Sequence, residues 1–443
     1  MKRLWQNIGW LLTGRGFNAV MSIVYAALAA RTLGLEGFGF FAIIVALGQT
    51  VAGLASFQTW QFVVRWGANG SGPAAATGFA IALDFLSVIL GTIAAAIIVW
   101  TAQLWLPLPD ELLWLTFAFC VISLLTIRST PIGLLRLRFE YKRATAAEAV
   151  QPAVRAVGAV LAWVYMPTVT GFILAWAAAE VAVALALWFV AARNQKIDLS
   201  AVSLTKIPAE HKDAWRFVWS TNMSGTLTIA GKQVMILLVG TFGGAALAGG
   251  FRIASQLGQA LVVLAQTVSK AIYPELVHAK EEALMMARRM ANIALIGGVL
   301  AVLVALFAGR WGLEAFAGPE FRGFYWAMVI LAIAGAVELV GASLESLLVS
   351  AGKAHTAFMV RAAPTVLALV LLDTAIGWNG AKGAAFAVLG ASSLSVIGFY
   401  IAIINLQQIK ITIAPDAAPA DESAKDGTDG LDKDAAAKAP NAN

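Results

Sequence analysis

Twelve long apolar stretches, several with a basic residue well inside them, constrain this chain more than any other feature it has. A helix needs about 20 apolar residues to cross a bilayer. Stretches of that size fall at 8–30, 38–60, 76–102, 112–135, 147–166, 168–192, 215–241, 246–273, 290–309, 324–348, 358–377 and 383–404. The strands of an outer-membrane barrel would instead be short and alternating. With 60% apolar residues, 13% charged residues and a mean hydropathy of +0.79, the chain is an integral membrane protein, and the expected fold is all-α and polytopic. Its net charge of +6 accordingly speaks of orientation and not of nucleic acid.

With the N-terminus inside, the cytoplasmic connections hold Lys2, Arg3, Arg65, Arg136, Arg138, Lys142, Arg143, Arg193, Lys196, Lys206, Lys212, Arg216, Lys280, Arg288, Arg289, Lys353, Arg361 and Lys410. The opposite face holds Arg31, Arg310, Arg322 and Lys382. That bias places both termini in the cytoplasm. Lys2 and Arg3 ahead of an apolar run resemble a signal peptide, but Arg15 and Asn18 interrupt the apolar core, so an uncleaved helix is expected. The single cysteine, Cys120, excludes an internal disulfide, and neither a metal site nor a cofactor motif is expected.

Residues 24–49 repeat at 234–259, an offset of 210. Gly34 meets Gly244, Gly39 meets Gly249, Phe41 meets Phe251, Ile43 meets Ile253, and Leu47-Gly48-Gln49 meets Leu257-Gly258-Gln259. Six spans separate the copies, so the halves share an orientation and are expected to be related by an axis along the membrane normal. The expected organisation is a six-helix bundle at 1–192, a cytoplasmic linker at 193–214, a second six-helix bundle at 215–410 and a tail at 411–443, too poor in large apolar residues to fold.

A charged residue in mid-membrane costs roughly 2.5 to 3.5 kcal/mol on insertion scales, so it is expected to face a polar cavity or a counter-ion. On the eighth span Arg252, Gln256, Gln259, Gln266 and Lys270 share one helix face; the seventh presents Ser224, Thr228 and Lys232, and the first Arg15, Asn18 and Ser22. The guanidinium fork donates two parallel hydrogen bonds and stays charged, which suits a phosphate or diphosphate. Arg15, Asn18, Lys232, Arg252, Gln256 and Gln259 are the candidate substrate contacts.

Other intramembrane charges have structural readings beside functional ones. Arg128 and Lys270 lie near helix ends, where snorkelling places the charge in the interface. Arg155 shares a face with Glu148 and Gln151, as in an ion pair. Glu338 and Glu345 either neutralise basic residues or carry a coupling proton, and Asp84, Glu180 and Asp373 are ranked as interhelical partners. Gly225 to Gly231-Lys232 departs from a phosphate loop in spacing and in Gln233, and the short external connections offer no obvious acid or base, so the chain is not expected to be an enzyme.

The run Leu28-Ala29-Ala30-Arg31-Thr32-Leu33-Gly34-Leu35-Glu36-Gly37-Phe38-Gly39-Phe40-Phe41 resembles the opening signature of polysaccharide flippases of the multidrug/oligosaccharidyl-lipid/polysaccharide exporter superfamily. Val239-Gly240-Thr241-Phe242-Gly243, Phe251-Arg252-Ile253-Ala254-Ser255-Gln256-Leu257 and Tyr273-Pro274-Glu275-Leu276 are similar to the start of that family's second half. The resemblance implies two six-helix bundles around a central cationic cavity. It also implies an inner-membrane protein that turns a polyprenyl-diphosphate-linked oligosaccharide toward the periplasm, for O-antigen or exopolysaccharide synthesis, working beside a polysaccharide polymerase and a chain-length regulator. Lys232 departs from the acidic or amide residue that relatives often carry, and Gln256 stands where they often carry Arg. The alternatives are a small-molecule or drug antiporter of the same superfamily and a polytopic glycosyl polymerase or ligase.

Overall fold

The computed structural model describes the backbone of residues 2–68, 72–194, 197–277, 283–350 and 353–413; side chains at 2–20, 223–230, 263–277, 283–294, 406–413 and a few scattered positions lie outside the described residues. The expected tail from 411 falls almost wholly outside them too. The described chain is helical throughout, with α1 Lys2–Ala55, α2 Trp60–Ala68, α3 Gly72–Thr101, α4 Leu113–Leu125, α5 Ser129–Leu137, α6 Tyr141–Glu148, α7 Val150–Tyr165, α8 Val169–Asn194, α9 Lys206–Glu210, α10 Ala214–Val277, α11 Ala283–Phe307, α12 Gly309–Ala317, α13 Tyr325–Ser350, α14 Ala354–Val370 and α15 Leu372–Ile413.

All twelve apolar stretches lie mainly on helix, although among the described residues seven helices qualify as spans by length and apolarity, or eight counting the pair Leu295–Phe307 and Gly309–Ala317, bent by 68°. The difference arises where chain breaks and kinks depart from a simple window. α1 and α10 each run through a bend that joins two apolar stretches, while the stretch at 112–135 is divided between α4 and α5.

Lipid-facing stripes are plain on the surface. Phe85, Ile89, Ile93, Ile97 and Trp100 recur every three or four residues along α3 and are all exposed. Trp100, Trp114, Tyr165, Trp311, Trp326 and Trp378 are exposed as well, and chain order puts all six at the end of the bundle where α1 and α10 turn. Amphipathic rings gather in this way at a membrane interface. The protein is a multi-pass membrane protein.

The bends in α1 and α10 occur at the two glycines that the repeat aligns. Gly34 has φ 68° and ψ −174°, and Gly244 has φ 82° and ψ 173°. That backbone region is essentially restricted to glycine. Beyond the bends, α1 and α10 form the most extensive helix contact in the described structure. A Cβ on Gly39 would collide with the Ala245 carbonyl oxygen, and one on Gly249 would lie 2.7 Å from the Leu35 carbonyl oxygen. These two contacts exchange under the offset of 210, and Gly249 also lies against Gly39, its own counterpart. Reciprocal contacts of this kind mark a two-fold relation. Small residues let the backbones meet where lipid supplies no hydrophobic drive.

The Gly34 bend is held by the other half of the chain. Leu35 N–H, freed at the start of a new helical segment, donates to Glu320 Oε2 at 3.0 Å. Arg31 Nε donates to the Phe316 carbonyl at 3.3 Å, and its Nη2 to that of Ala315. Asp110 is 210 residues before Glu320 and likewise follows a proline, but it accepts from Gln103 Nε2 at 2.9 Å. Beneath the bends, Tyr25, Phe38, Phe41, Phe172, Trp176, Phe251 and Phe321 belong to one buried core.

Candidate functional site

A cavity of about 570 Å³ lies among α1, α7, α8, α10, α13, α14 and α15. Its aromatic floor includes Tyr25, Phe38, Phe41, Trp176 and Phe251. Tyr25 is fixed by donating its hydroxyl to the Phe172 carbonyl at 2.9 Å, and its ring meets Trp176 edge-on at 5.3 Å. Among the described residues four basic side chains line the cavity, Arg155, Lys232, Arg252 and Arg361, against the carboxylates of Glu338 and Glu345.

Arg252 enters from α10 eight residues past the bend, so the turn at Gly244 determines where it points. Its Nη1 donates to the Ala42 carbonyl at 3.2 Å, and its guanidinium carbon is 5.9 Å from the centre of the Trp176 ring. Ala42 is the repeat counterpart of Arg252, which places this contact beside the pseudo-two-fold axis. Gln256 and Gln259 follow on the same face, and all three line the cavity as the helical spacing requires. Lys232 Nζ donates to Gln259 Oε1 at 3.5 Å, and Gln259 Nε2 donates to Ser255 Oγ at 3.0 Å. Gln259 thereby holds the ammonium at the cavity wall through a neutral amide.

Arg155 reaches the cavity from α7, with its guanidinium carbon 3.7 Å from the centre of the Trp176 ring. Its carboxylate partner is Glu180 on α8, 3.4 Å away, and not the expected Glu148. Glu180 also accepts from Gln151 Nε2 at 2.8 Å and Trp176 Nε1 at 2.9 Å, and it pairs with Arg128 at 3.1 Å. A buried carboxylate needs that many donors, and with two arginines the group remains cationic. Arg155 Nε is buried without a hydrogen-bond partner beside the cavity.

Across the cavity Arg361 bonds both Glu338, at 2.7 Å, and Glu345. This corrects the placement of Arg361 in a cytoplasmic connection, since it lies in the second turn of α14 and lines the cavity. Arg361 is thus the basic residue with which Glu338 and Glu345 pair.

The model for the polysaccharide biosynthesis protein family matches residues 4–280, more than half of the chain. The chain belongs to that family. It is 26% identical over 311 residues to the inner membrane protein YghQ of Escherichia coli (strain K12), covering 68% of this chain and 88% of YghQ. Two solved structures share the fold: a multidrug resistance transporter of the MATE family of the MOP superfamily, in an inward-facing conformation, and the lipid II flippase MurJ in an inward closed conformation. The first has a TM-score of 0.69 at 14% identity, covering 90% of this chain and 96% of the other. The second has a TM-score of 0.68 at 12% identity, covering 92% and 93%. The fold is thus that of transporters and flippases.

Of the residues singled out in this family member's sequence, Lys232, Arg252, Gln256, Gln259, Arg155, Glu338 and Glu345 meet at the cavity. Glu148 ends α6 and is not among the lining residues. The backbone of Arg15 and Asn18 belongs to α1, but their side chains, like those of Ser224, Thr228, Gln266 and Lys270, lie outside the described residues. Arg128, read as a snorkelling residue, is the second arginine on Glu180. Trp176 and Tyr25 are cavity residues that the sequence reading missed, because an aromatic residue in an apolar helix carries no signal distinguishing cavity floor from core.

Proposed function

We propose that this protein is a flippase for a polyprenyl-diphosphate-linked oligosaccharide in surface polysaccharide synthesis, moving it from the cytoplasmic to the periplasmic leaflet of the inner membrane. The observation that carries this reading is the excess of cations among the described residues of the cavity, with Lys232 and Arg252 reaching it from the two arms of α10 on either side of the Gly244 bend and Arg155 from α7 over Trp176. A diphosphate brings the charge that would balance them, and planar forks such as that of Arg252 recognise it with parallel hydrogen bonds. Arg15 and Asn18 precede Ser22 at helical spacing on α1, and we assign them to the same cationic wall. The loop charges support an orientation with both termini cytoplasmic and the Gly34 and Gly244 bends periplasmic. A first bundle over 1–192 and a second over 215–410, joined by the 193–214 linker, complete the proposed organisation. A polymerase and a chain-length regulator are the proposed partners.

Replacing Arg252 with Ala is expected to abolish polysaccharide export and to leave lipid-linked precursor in the cytoplasmic leaflet at normal protein level. Arg252→Lys keeps the charge without the fork and is expected to retain part of the activity. The control is Arg310→Ala, outside the cavity. The second reading, a cation-coupled small-molecule antiporter, draws on the Glu338 and Glu345 carboxylates in the cavity wall. Normal export by Arg252→Ala together with failure of Glu338→Ala would favour it.

A further inference from the structure

A second polar site lies away from the cavity, where two helix breaks meet α3. Asp84, in the body of α3, is 6% exposed, while Thr59 and Thr130 are wholly buried. Thr59 stands between the end of α1 and the start of α2; Thr130 stands in the first turn of α5, just past the break from α4. Three oxygen-to-oxygen contacts join them. Thr59 Oγ1 is 2.9 Å from Asp84 Oδ1, Thr130 Oγ1 is 3.0 Å from Thr59 Oγ1, and Thr130 Oγ1 also bonds Asp84 Oδ2.

Counting hydrogens decides what the site holds. Three contacts of this kind need three hydrogens, and each threonine hydroxyl supplies one. A proton on the carboxyl group supplies the third, so that no hydroxyl hydrogen has to be shared between two acceptors. The arrangement then closes into a ring: Asp84 Oδ2–H donates to Thr130, Thr130 donates to Thr59, and Thr59 donates to Asp84 Oδ1. An ionised Asp84 would leave one contact with no hydrogen and a charge buried in the membrane.

The charged groups on the surrounding elements are engaged elsewhere. Arg128, at the break before α5, pairs with Glu180; Arg65 on α2 pairs with Asp213; Arg136 on α5 lies 4.3 Å over the Trp60 ring. Lys206 and Glu210 on α9 are exposed, as is Asp198, which accepts from Ser200. The described parts of α1 and α4 that pack on α3 bring no charged side chain to it.

We propose that Asp84, Thr59 and Thr130 form a proton-binding site, occupied in this conformation, which ties the α1–α2 and α4–α5 junctions to α3. The bound proton completes the ring. Its departure leaves a carboxylate that must be hydrated, which opens the two junctions together. Trp60 N–H donates to Ser129 Oγ at 3.0 Å, so the junctions are joined to each other and move as one. The site is independent of the cavity and of what the cavity carries.

Infrared difference spectroscopy on the full-length protein in lipid tests this. Spectra of the wild type taken between neutral and alkaline buffer are expected to contain the carbonyl stretch of a protonated carboxylic acid, shifting in D2O. Asp84→Asn, whose amide reproduces the ring with its own hydrogens, is expected to lose that band while retaining the wild-type elution profile and melting temperature at neutral pH. Thr130→Val keeps Asp84 but removes the acceptor, and is expected to move the band to higher frequency; Thr130→Ser is expected to leave it in place. A wild-type band unchanged in both Asp84→Asn and Thr130→Val would overturn the assignment. So would a sodium-dependent shift in melting temperature, abolished by Asp84→Asn, in a protein without the band, since the site would then hold a metal cation.

Discussion

The two halves of the repeat turn at the same glycine conformation and secure that turn in different ways. At Gly34 the freed Leu35 N–H is capped by Glu320, and Arg31 clasps the end of α12. At Gly244 the side chain in the matching sequence position, Asp110, is committed to Gln103. The bend itself thus follows from a backbone that only glycine adopts, whereas the lock upon it is an added contact that one half has and the other lacks. A transporter built from two like halves acquires in this way one fixed bend and one that is less constrained.

The largest effect is expected where both bends depend on the same close contact. Gly39→Leu drives a side chain into the Ala245 carbonyl and should cost at least about 3 kcal/mol. Loss of the folded peak in detergent size-exclusion chromatography is the measurement, and a normal peak would mean that α1 and α10 separate without penalty.

Next come the bends themselves. Gly34→Val and Gly244→Val each force a branched residue into a glycine conformation, at about 1 to 3 kcal/mol. A Cβ at Gly34 would also lie 3.2 Å from Glu320 Oε2, whereas nothing lies within 4 Å of one at Gly244. Gly34→Val should therefore melt lower than Gly244→Val. Equal melting temperatures would erase the difference between the two bends.

Removing the caps isolates that difference. Glu320→Ala is expected to lower stability by about 1 kcal/mol, the usual value of a helix N-terminal cap. Asp110→Ala is expected to stay within about 0.5 kcal/mol of the wild type, as surface changes do. The reverse order in thermal melts would assign the lock to the wrong half.

The smallest effect concerns the strap that presents Glu320. Glu314 accepts from Arg322 Nη2 at 2.7 Å, which holds its carboxyl below the usual carboxylate range. A depressed carboxylate contributes stability above its unfolded value, about 4.3, and loses it as the pH falls through the lower folded value. The wild type should exceed Glu314→Gln slightly at neutral pH, and the two should converge in acid. A gap that widens on acidification would contradict the pairing.

What the sequence reveals here depends on how local the cause is. The repeat was legible because one glycine-rich motif recurs at a fixed offset, and the α10 face because helical spacing alone brings Arg252, Gln256 and Gln259 together. Glu180 as the partner of Arg155 was not legible, since local spacing favours a residue on the same stretch over one on the next helix. Arg361 was counted with a cytoplasmic connection although the stretch at 358–377 includes it, because a charge close to the end of an apolar run reads as a flank. The Asp84 ring joins residues 25 and 46 positions apart at two helix breaks, and no periodic pattern reports where a broken helix resumes.

The contact between Arg252 and Ala42, each the other's counterpart, has a consequence for direction. Arg252 lies over the backbone of its own counterpart, where the other half carries the smallest chiral side chain. The guanidinium beside the axis therefore breaks the equivalence of the halves at the cavity, so that the proposed anionic substrate would meet unlike walls on its two sides.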